Sequence, residues 1–306
     1  MNIQNTGIRR KKENLEKSLF IGGMLLIPIL HFIFFYIYVN FNSFLMAFQR
    51  PRYDGSGAID WGFQNFTMFW EELVNSDSEL LVCLRNTLVF FSVDILVKLP
   101  LSLLICYFIY KKVAGSKIFR AIIYLPCIVM ATVFITLYKY MIGAGGPLFA
   151  IWEMLEMEPI YYFFSSEYAL KAIVFYVIYS GLGGHFILFG GAMNAIDDSI
   201  IDAGKIDGVG PFRELVSLII PSIWPTLSTM LLMASIGVFT ASGPLLLFTK
   251  GEFGTNTISF WIYGLTTGIT GYTDYEYASA VGLVFTVCGL PIVLTVKKLI
   301  GITEDN

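Results

Sequence analysis

Long apolar runs alternate with short polar connections along most of the chain. Six of the runs reach or exceed the roughly 20 residues needed to cross about 30 Å of hydrocarbon. They fall near 18–40, 86–110, 119–142, 170–194, 216–246 and 277–300. The pattern predicts an all-α polytopic membrane protein with six transmembrane helices in one domain over 18–300, between a basic N-terminal tail at 1–17 and a short tail at 301–306. A further apolar stretch, 256–272, is only about 15 residues long, short for a span, and is interrupted by Gly264, Gly268 and Gly271. It is assigned to a re-entrant or interfacial loop on the outer side.

The polar interval between the fourth and fifth runs has a pattern of its own. Ser199 followed by Asp202 is the spacing of an N-terminal capping box, the residues from Ile200 to Ile206 can wind, and Gly208 supplies a left-handed stop. Gly210-Pro211 then opens a second helix, because the N–H that proline lacks is unpaired anyway at the first helical position. The loop 195–215 therefore reads as helix, elbow, helix. Ala203 and Gly204 are small enough to let another protein's groove approach the backbone, and Ile200 adds an apolar contact on the same face.

Charge orients these elements. Arg9, Arg10, Lys11, Lys12 and Lys17 precede the first run; Lys111, Lys112, Lys117 and Arg120 lie between the second and third; Lys205, Arg213, Lys297 and Lys298 fall on the same side. Six basic residues (Arg50, Arg52, Arg85, Lys139, Lys171 and Lys250) fall on the other side, and Lys98 lies within a run. The positive-inside rule then makes both termini and the 195–215 loop cytoplasmic. Counting 256–272 as a seventh span would put Lys297 and Lys298 outside.

Composition agrees with a bilayer environment: 56% of residues are hydrophobic and 14% charged, against about 25% charged in soluble domains. A net charge of -3 gives no basic surface for nucleic acid. The first run, Leu19 to Val39, is long enough to span and lacks a small-residue cleavage site, so it is expected to stay as a helix rather than be removed as a signal peptide. Cys83, Cys106, Cys127 and Cys288 are widely separated, show no metal-ligand spacing, and read as small core residues.

The 199–225 segment, SIIDAGKIDGVGPFRELVSLIIPSIWP from Ser199, resembles the cytoplasmic loop of ABC importer permeases: Glu-Ala-Ala-x-x-Asp-Gly followed at fixed distance by two prolines. Asp202, Ala203, Gly204, Asp207, Gly208, Pro221 and Pro225 fall in register. Asp202 stands where the family usually has Glu, Gly204 and Val209 where it has Ala, and Leu215 where it usually has an aromatic residue. Trp61-Gly-Phe-Gln-Asn65-Phe66, Asn86-Thr87-Leu88, Arg120 through Leu125-Pro126, and Ala278-Ser-Ala280 are similar to landmarks of the carbohydrate group of these permeases, the maltose and oligosaccharide type. After the fifth run, Thr249-Lys250-Gly251-Glu252-Phe253-Gly254 departs from the family's Thr-x-Gly-Gly-Pro.

The resemblance implies a type I ABC importer permease fold with a short cytoplasmic coupling helix. It also implies a bacterial or archaeal cytoplasmic membrane and a complex with a second homologous permease, two ATP-binding cassette ATPase subunits and an extracytoplasmic sugar-binding protein. Ser199, Asp202, Ala203, Gly204, Asp207 and Gly208 are its ATPase-coupling residues. The chain itself lacks the G-x-x-x-x-G-K-[ST] phosphate loop, so no catalytic residue or cofactor is assigned to it; ATP and Mg belong to the partner ATPase.

Within the membrane, Tyr176, Tyr179 and Gly183 share one face of the fourth run, with His185, Phe186 and Asn194 further along. Tyr176, Tyr179, His185 and Asn194 are candidates for lining a sugar path, since aromatic faces and polar tips suit sugar rings and hydroxyls; girdle and packing roles are the alternative. The glycines at 181, 183, 184, 190 and 191 allow close helix approach. Asp94 and Lys98 are four residues apart inside the second run, where a lone charge costs about 2.5–3.5 kcal/mol, and so should neutralise one another as an intramembrane ion pair.

Three alternatives stay open at this level. An ion-gradient-driven secondary transporter could use Asp94 as its ion site, although no internal repeat is evident. An ABC permease for a non-sugar solute such as peptides shares the loop in variant form. An intramembrane enzyme would need a catalytic constellation; no H-E-x-x-H occurs, and His31 and His185 are far apart.

Overall fold

The computed structural model describes residues 3–52, 58–269 and 271–301, with the backbone alone described over 3–15. The side chains of Arg9, Arg10, Lys11 and Lys12 and the tail from 302 onward lie outside the described set. Contacts divide the chain into two units, one made of 1–69 with 274–283 and the other of 70–273 with 284–306.

In the smaller unit the backbone is helical from Ile3, inside the segment read as a tail, through Ile3–His31, a π-helical stretch Phe32–Tyr38 and Val39–Met46. The part Glu16–Met46 is apolar enough to cross a membrane, and none of its most apolar window is buried against the chain itself. Two short antiparallel strands follow, β1 (Gln49–Pro51) and β2 (Ile59–Trp61), with Arg50 opposite Asp60. Asn65 staples this turn: buried, it donates from Nδ2 to the Ala47 and Gln49 carbonyls at 2.9 Å each and accepts from Arg50 Nη1 at 3.1 Å. Arg50 Nη1 also meets Asp274 Oδ2 at 2.8 Å.

The larger unit holds the second span, Glu79–Tyr110, which turns π-helical at Asp94–Lys98, and the fourth, Ala169–Asn194. Both lie where the apolar runs predict them, and the last span, Tyr275–Ile300, does too. Among the described residues five helices are long and apolar enough to cross a membrane, the fifth being Ala131–Met154, or six if one sharply bent pair counts as a single span.

Two expected spans are broken. The run 119–142 is split into Ser116–Ile128 and Ala131–Ile142, with Val129 extended between them. Proline explains the first helix's weakness: Pro126 has no N–H for the Ile122 carbonyl, and its ring crowds that carbonyl. The run 216–246 is split into Pro211–Ser222 and Trp224–Ile236, which meet at 76°. Pro225 cannot donate to the Pro221 carbonyl, so the helical ladder is interrupted and the chain turns at Ile223 between the two prolines, with Pro225 in the first turn of the new helix.

The segment 256–272 contains a ten-residue helix, Ile258–Thr267, capped by the Thr257 hydroxyl, which accepts from Phe260 N–H. At 1.5 Å per residue it is about 15 Å long, half of what a span requires. Asn86-Thr87 pins its approach: Asn86 Nδ2 donates to the Gly254 and Asn256 carbonyls at 2.8 and 2.7 Å, and Thr87 Oγ1 accepts from Ile258 N–H at 3.1 Å. Asn256 Nδ2 in turn reaches Glu79 Oε1 at 2.8 Å.

One core packs the second and fourth spans together through Leu103, Cys106, Phe186, Phe189 and Met193, and takes in Ile201, Ile219 and Ile223. A second is aromatic, around Phe134, Phe163, Tyr176 and Phe248. Cys83 and Cys106 are buried as expected, whereas Cys127 and Cys288 are exposed.

Candidate coupling loop and membrane cavity

The loop helix runs Asp198–Ile206. Its cap is Asp197 rather than Ser199: Asp197 Oδ1 accepts the Ser199 N–H at 2.9 Å, so the helix starts earlier than the capping-box spacing predicts and Ser199 sits inside it. The same bond holds the Asp197 carboxyl below the usual carboxylate range. Asp202 takes a hydrogen bond and ion pair from Lys205 Nζ at 2.8 Å, which raises the Lys205 pKa.

The stop is as predicted. Gly208 has φ +70°, its N–H reaches the Lys205 carbonyl at 3.1 Å, and Val209 N–H reaches the Gly204 carbonyl at 2.9 Å, the two bonds of a Schellman motif. Pro211 opens the next helix after Gly210.

Gly204 does not belong to the outward face. It is buried, and a Cβ placed on it would lie 2.5 Å from Leu218 Cδ1, so its smallness lets the loop helix close on its own chain. Ile201 is buried beside it, while Ile200, Asp202, Ala203, Ile206, Asp207 and Gly208 remain exposed. The free face is thus a short apolar strip flanked by carboxylates.

The anchors beneath this helix include residues that sequence reasoning missed. Glu214 is buried and accepts from Lys111 Nζ at 2.8 and 2.9 Å; Tyr107 Oη donates to the Pro211 carbonyl at 2.9 Å. Lys111 and Tyr107 close the second span, so loop and span are fastened at two points. An acid immediately before the mostly apolar stretch Leu215–Ile223 is the one signal that could have pointed to Glu214.

In the membrane portion, a cavity of about 530 Å³ opens among the second span, the fourth span and the helix Trp224–Ile236 with its following turn. Phe90, Asp94, Lys98, His185 and Met233 are among its lining residues. Asp94 and Lys98 form the expected ion pair on the π-helical turn. Gly181 makes room for it, since a Cβ there would come within 2.6 Å of Lys98 Cδ.

Of the four path candidates, only His185 reaches this cavity. Tyr176 is buried in the aromatic core against Phe134, Tyr138 and Phe248. Tyr179 donates its hydroxyl to the Ile122 carbonyl at 3.1 Å, the acceptor that Pro126 leaves without its helical partner. Asn194 lines a separate recess with Arg120 and Tyr124. Helical spacing grouped them on one face, but neighbouring helices divide that face between packing and cavity. Gly183 serves close packing, as an added Cβ would collide with Cys127 Sγ.

No family model matches the chain. It is 27% identical over 275 residues to the lactose transport system permease protein LacF of Rhizobium radiobacter, covering 86% of this chain and 84% of that one. It is 28% identical over 278 residues to protein LplB of Bacillus subtilis, covering 87% and 84%. To the multiple sugar-binding transport system permease protein MsmF of Streptococcus mutans serotype c it is 23% identical over 278 residues, covering 89% and 92%.

The fold superposes with a TM-score of 0.80 on a chain of a crystal structure of a bacterial ABC transporter involved in the import of the acidic polysaccharide alginate, at 20% identity over 97% of this chain and 100% of that one. A second structure, of the alginate transporter with a periplasmic protein bound to alginate pentasaccharide, gives 0.79 at 20% identity over 94% and 96%. With its spans, its proline-broken loop and relatives aligned along most of its length, the chain is similar throughout to permease proteins of sugar transport systems and shares the fold of an ABC importer chain.

Proposed function

We propose that this chain forms half of the membrane pathway of an ATP-driven, binding-protein-dependent importer of sugars or oligosaccharides. A second permease completes the pathway, an extracytoplasmic binding protein delivers the sugar, and two separate ATPase subunits hold ATP and Mg. The names of the curated relatives and the periplasmic protein in the alginate complex support the sugar and binding-protein parts of the reading. The chain sits in the cytoplasmic membrane with both termini and the loop helix inside, as its basic residues require.

The observation that carries the coupling is the fastening of the loop helix. A helix closed on Leu218 at Gly204, and tied to the second span through Glu214–Lys111 and Pro211–Tyr107, cannot move without carrying membrane helices with it. Its exposed strip, Ile200, Ala203 and Ile206, is the surface for an ATPase groove, with Asp202, Asp207 and Gly208 at its edge. Closure of the ATPases on ATP pushes the strip, and the tied helices tilt to expose the pathway to the opposite side.

The experiment is sugar uptake by the reconstituted complex with a hydrolysis-dead ATPase. Uptake should stop. Continued accumulation driven by an ion gradient would overturn the reading in favour of a secondary transporter.

A further inference from the structure

We infer that the cavity at Asp94, Lys98 and His185 is a sugar site that accepts a neutral ring through vicinal hydroxyls and excludes a uronate. This rests on the sugar-import reading above and narrows its substrate class.

The cavity has the size and make-up of a ligand site: about 530 Å³, mostly apolar walls and a few convergent polar groups. One of those groups has a buried atom without a partner: His185 Nδ1. Asp94 Oδ1 is held by Lys98. Buried polar atoms are almost always satisfied, and exceptions concentrate where something else binds. The arrangement is built rather than incidental, because the π-helical turn displaces Asp94 and Lys98 from the regular helix and Gly181 clears the space the lysine stem occupies.

Charge decides what fits. Asp94 and Lys98 already cancel. A sugar carboxylate that shared Lys98 with Asp94 would set two carboxylates against one ammonium, leaving a net negative charge uncompensated in an apolar wall. A neutral ring adds no such charge. Its hydroxyls donate to Asp94 and to His185 Nδ1 and accept from the remaining Lys98 N–H groups, with the pair intact, while its C–H face lies on Phe90 and Phe91.

The test is saturation-transfer NMR on the assembled transporter in nanodiscs, without binding protein, using lactose, cellotriose and maltotriose as neutral probes and trigalacturonate as the acidic one. At least one neutral sugar should bind the wild type, at least tenfold better than trigalacturonate. Met233→Trp, which fills the cavity from an exposed wall position and leaves the charged groups untouched, should weaken that binding at least tenfold in complexes that still assemble. Asp94→Asn, which frees Lys98, should improve trigalacturonate binding severalfold. Equal or better binding of trigalacturonate by the wild type, no binding of any neutral probe, or full neutral binding by Met233→Trp each overturns the inference. ATP-dependent uptake of trigalacturonate in the first two cases leaves sugar import standing, so the two readings fail separately.

Discussion

Glu214 and Lys111 are 103 positions apart in sequence, yet both carboxylate oxygens of the buried glutamate lie within 2.9 Å of the lysine Nζ. The pair closes the second span onto the segment that follows the loop helix. In the proposed mechanism it is a joint through which motion of the loop reaches the membrane.

Removing one partner should therefore cost more than removing both. Lys111→Met leaves Glu214 buried and uncompensated, a change that costs about 3–5 kcal/mol for fully buried pairs, with the lower end expected since Lys111 keeps some contact with water. Lys111→Met with Glu214→Leu should recover most of the thermal stability of the complex. If ATP hydrolysed per sugar imported is unchanged in Lys111→Met, the joint is not part of coupling.

The closure at Gly204 gives a test by compensation. Gly204→Ala puts a methyl against Leu218, an overpacking of about 1–3 kcal/mol. Leu218→Ala in the same chain should relieve it, and a double-mutant cycle on thermal unfolding measures the coupling. Additive losses would mean that the two positions do not touch.

Ala203 and Gly208 are on or beside the free face, so bulk or charge there should act on the partner; at Gly208, with φ +70°, a side chain also strains the helix stop without reaching the membrane helices. Gly208→Glu places a side chain at φ +70° and a charge at the edge of the strip. We expect an intact membrane fold with loss of substrate-stimulated ATP hydrolysis. Normal stimulation in that variant would count against docking at this face.

Asp94→Ala alone should harm folding more than Asp94→Ala with Lys98→Ala, because the single change strands a lysine among apolar neighbours. Expression level and thermal stability of the two variants decide the point. A double variant as poor as the single, or poorer, would refute mutual neutralisation.

The loop helix should also respond to acid. Asp197 has a lowered pKa from the Ser199 N–H, so its capping contribution is fully present above the unfolded carboxylate pKa and is lost as pH falls through the lowered folded value. The hydrogen-exchange protection factors of the Ser199 and Ile200 amides should be constant near neutrality and fall in acid. Asp197→Asn should keep the cap and remove that response.

Much of this protein is written locally in its sequence. Four of the six apolar runs, the Gly208 stop, the Pro211 start and the short 256–272 segment depend on residues within a few positions of one another, and the structure has them where hydrophobic length and backbone chemistry require. The Asp94–Lys98 pair is local in the same way, being one helical turn apart.

Other features depend on which faces meet. The same small residue that invites a partner at Gly204 is consumed by Leu218, and Tyr179, grouped by spacing with a sugar path, instead completes the backbone that Pro126 leaves short. Prolines were visible at 126, 221 and 225, but whether each kinks or breaks a span is decided by what the neighbouring helices supply. Glu214 with Lys111, and His185 beside the Asp94–Lys98 pair, come together only through packing of distant helices. Local sequence sets the elements because their hydrogen bonds and caps are short-range; tertiary packing alone assigns each face to lipid, core or cavity.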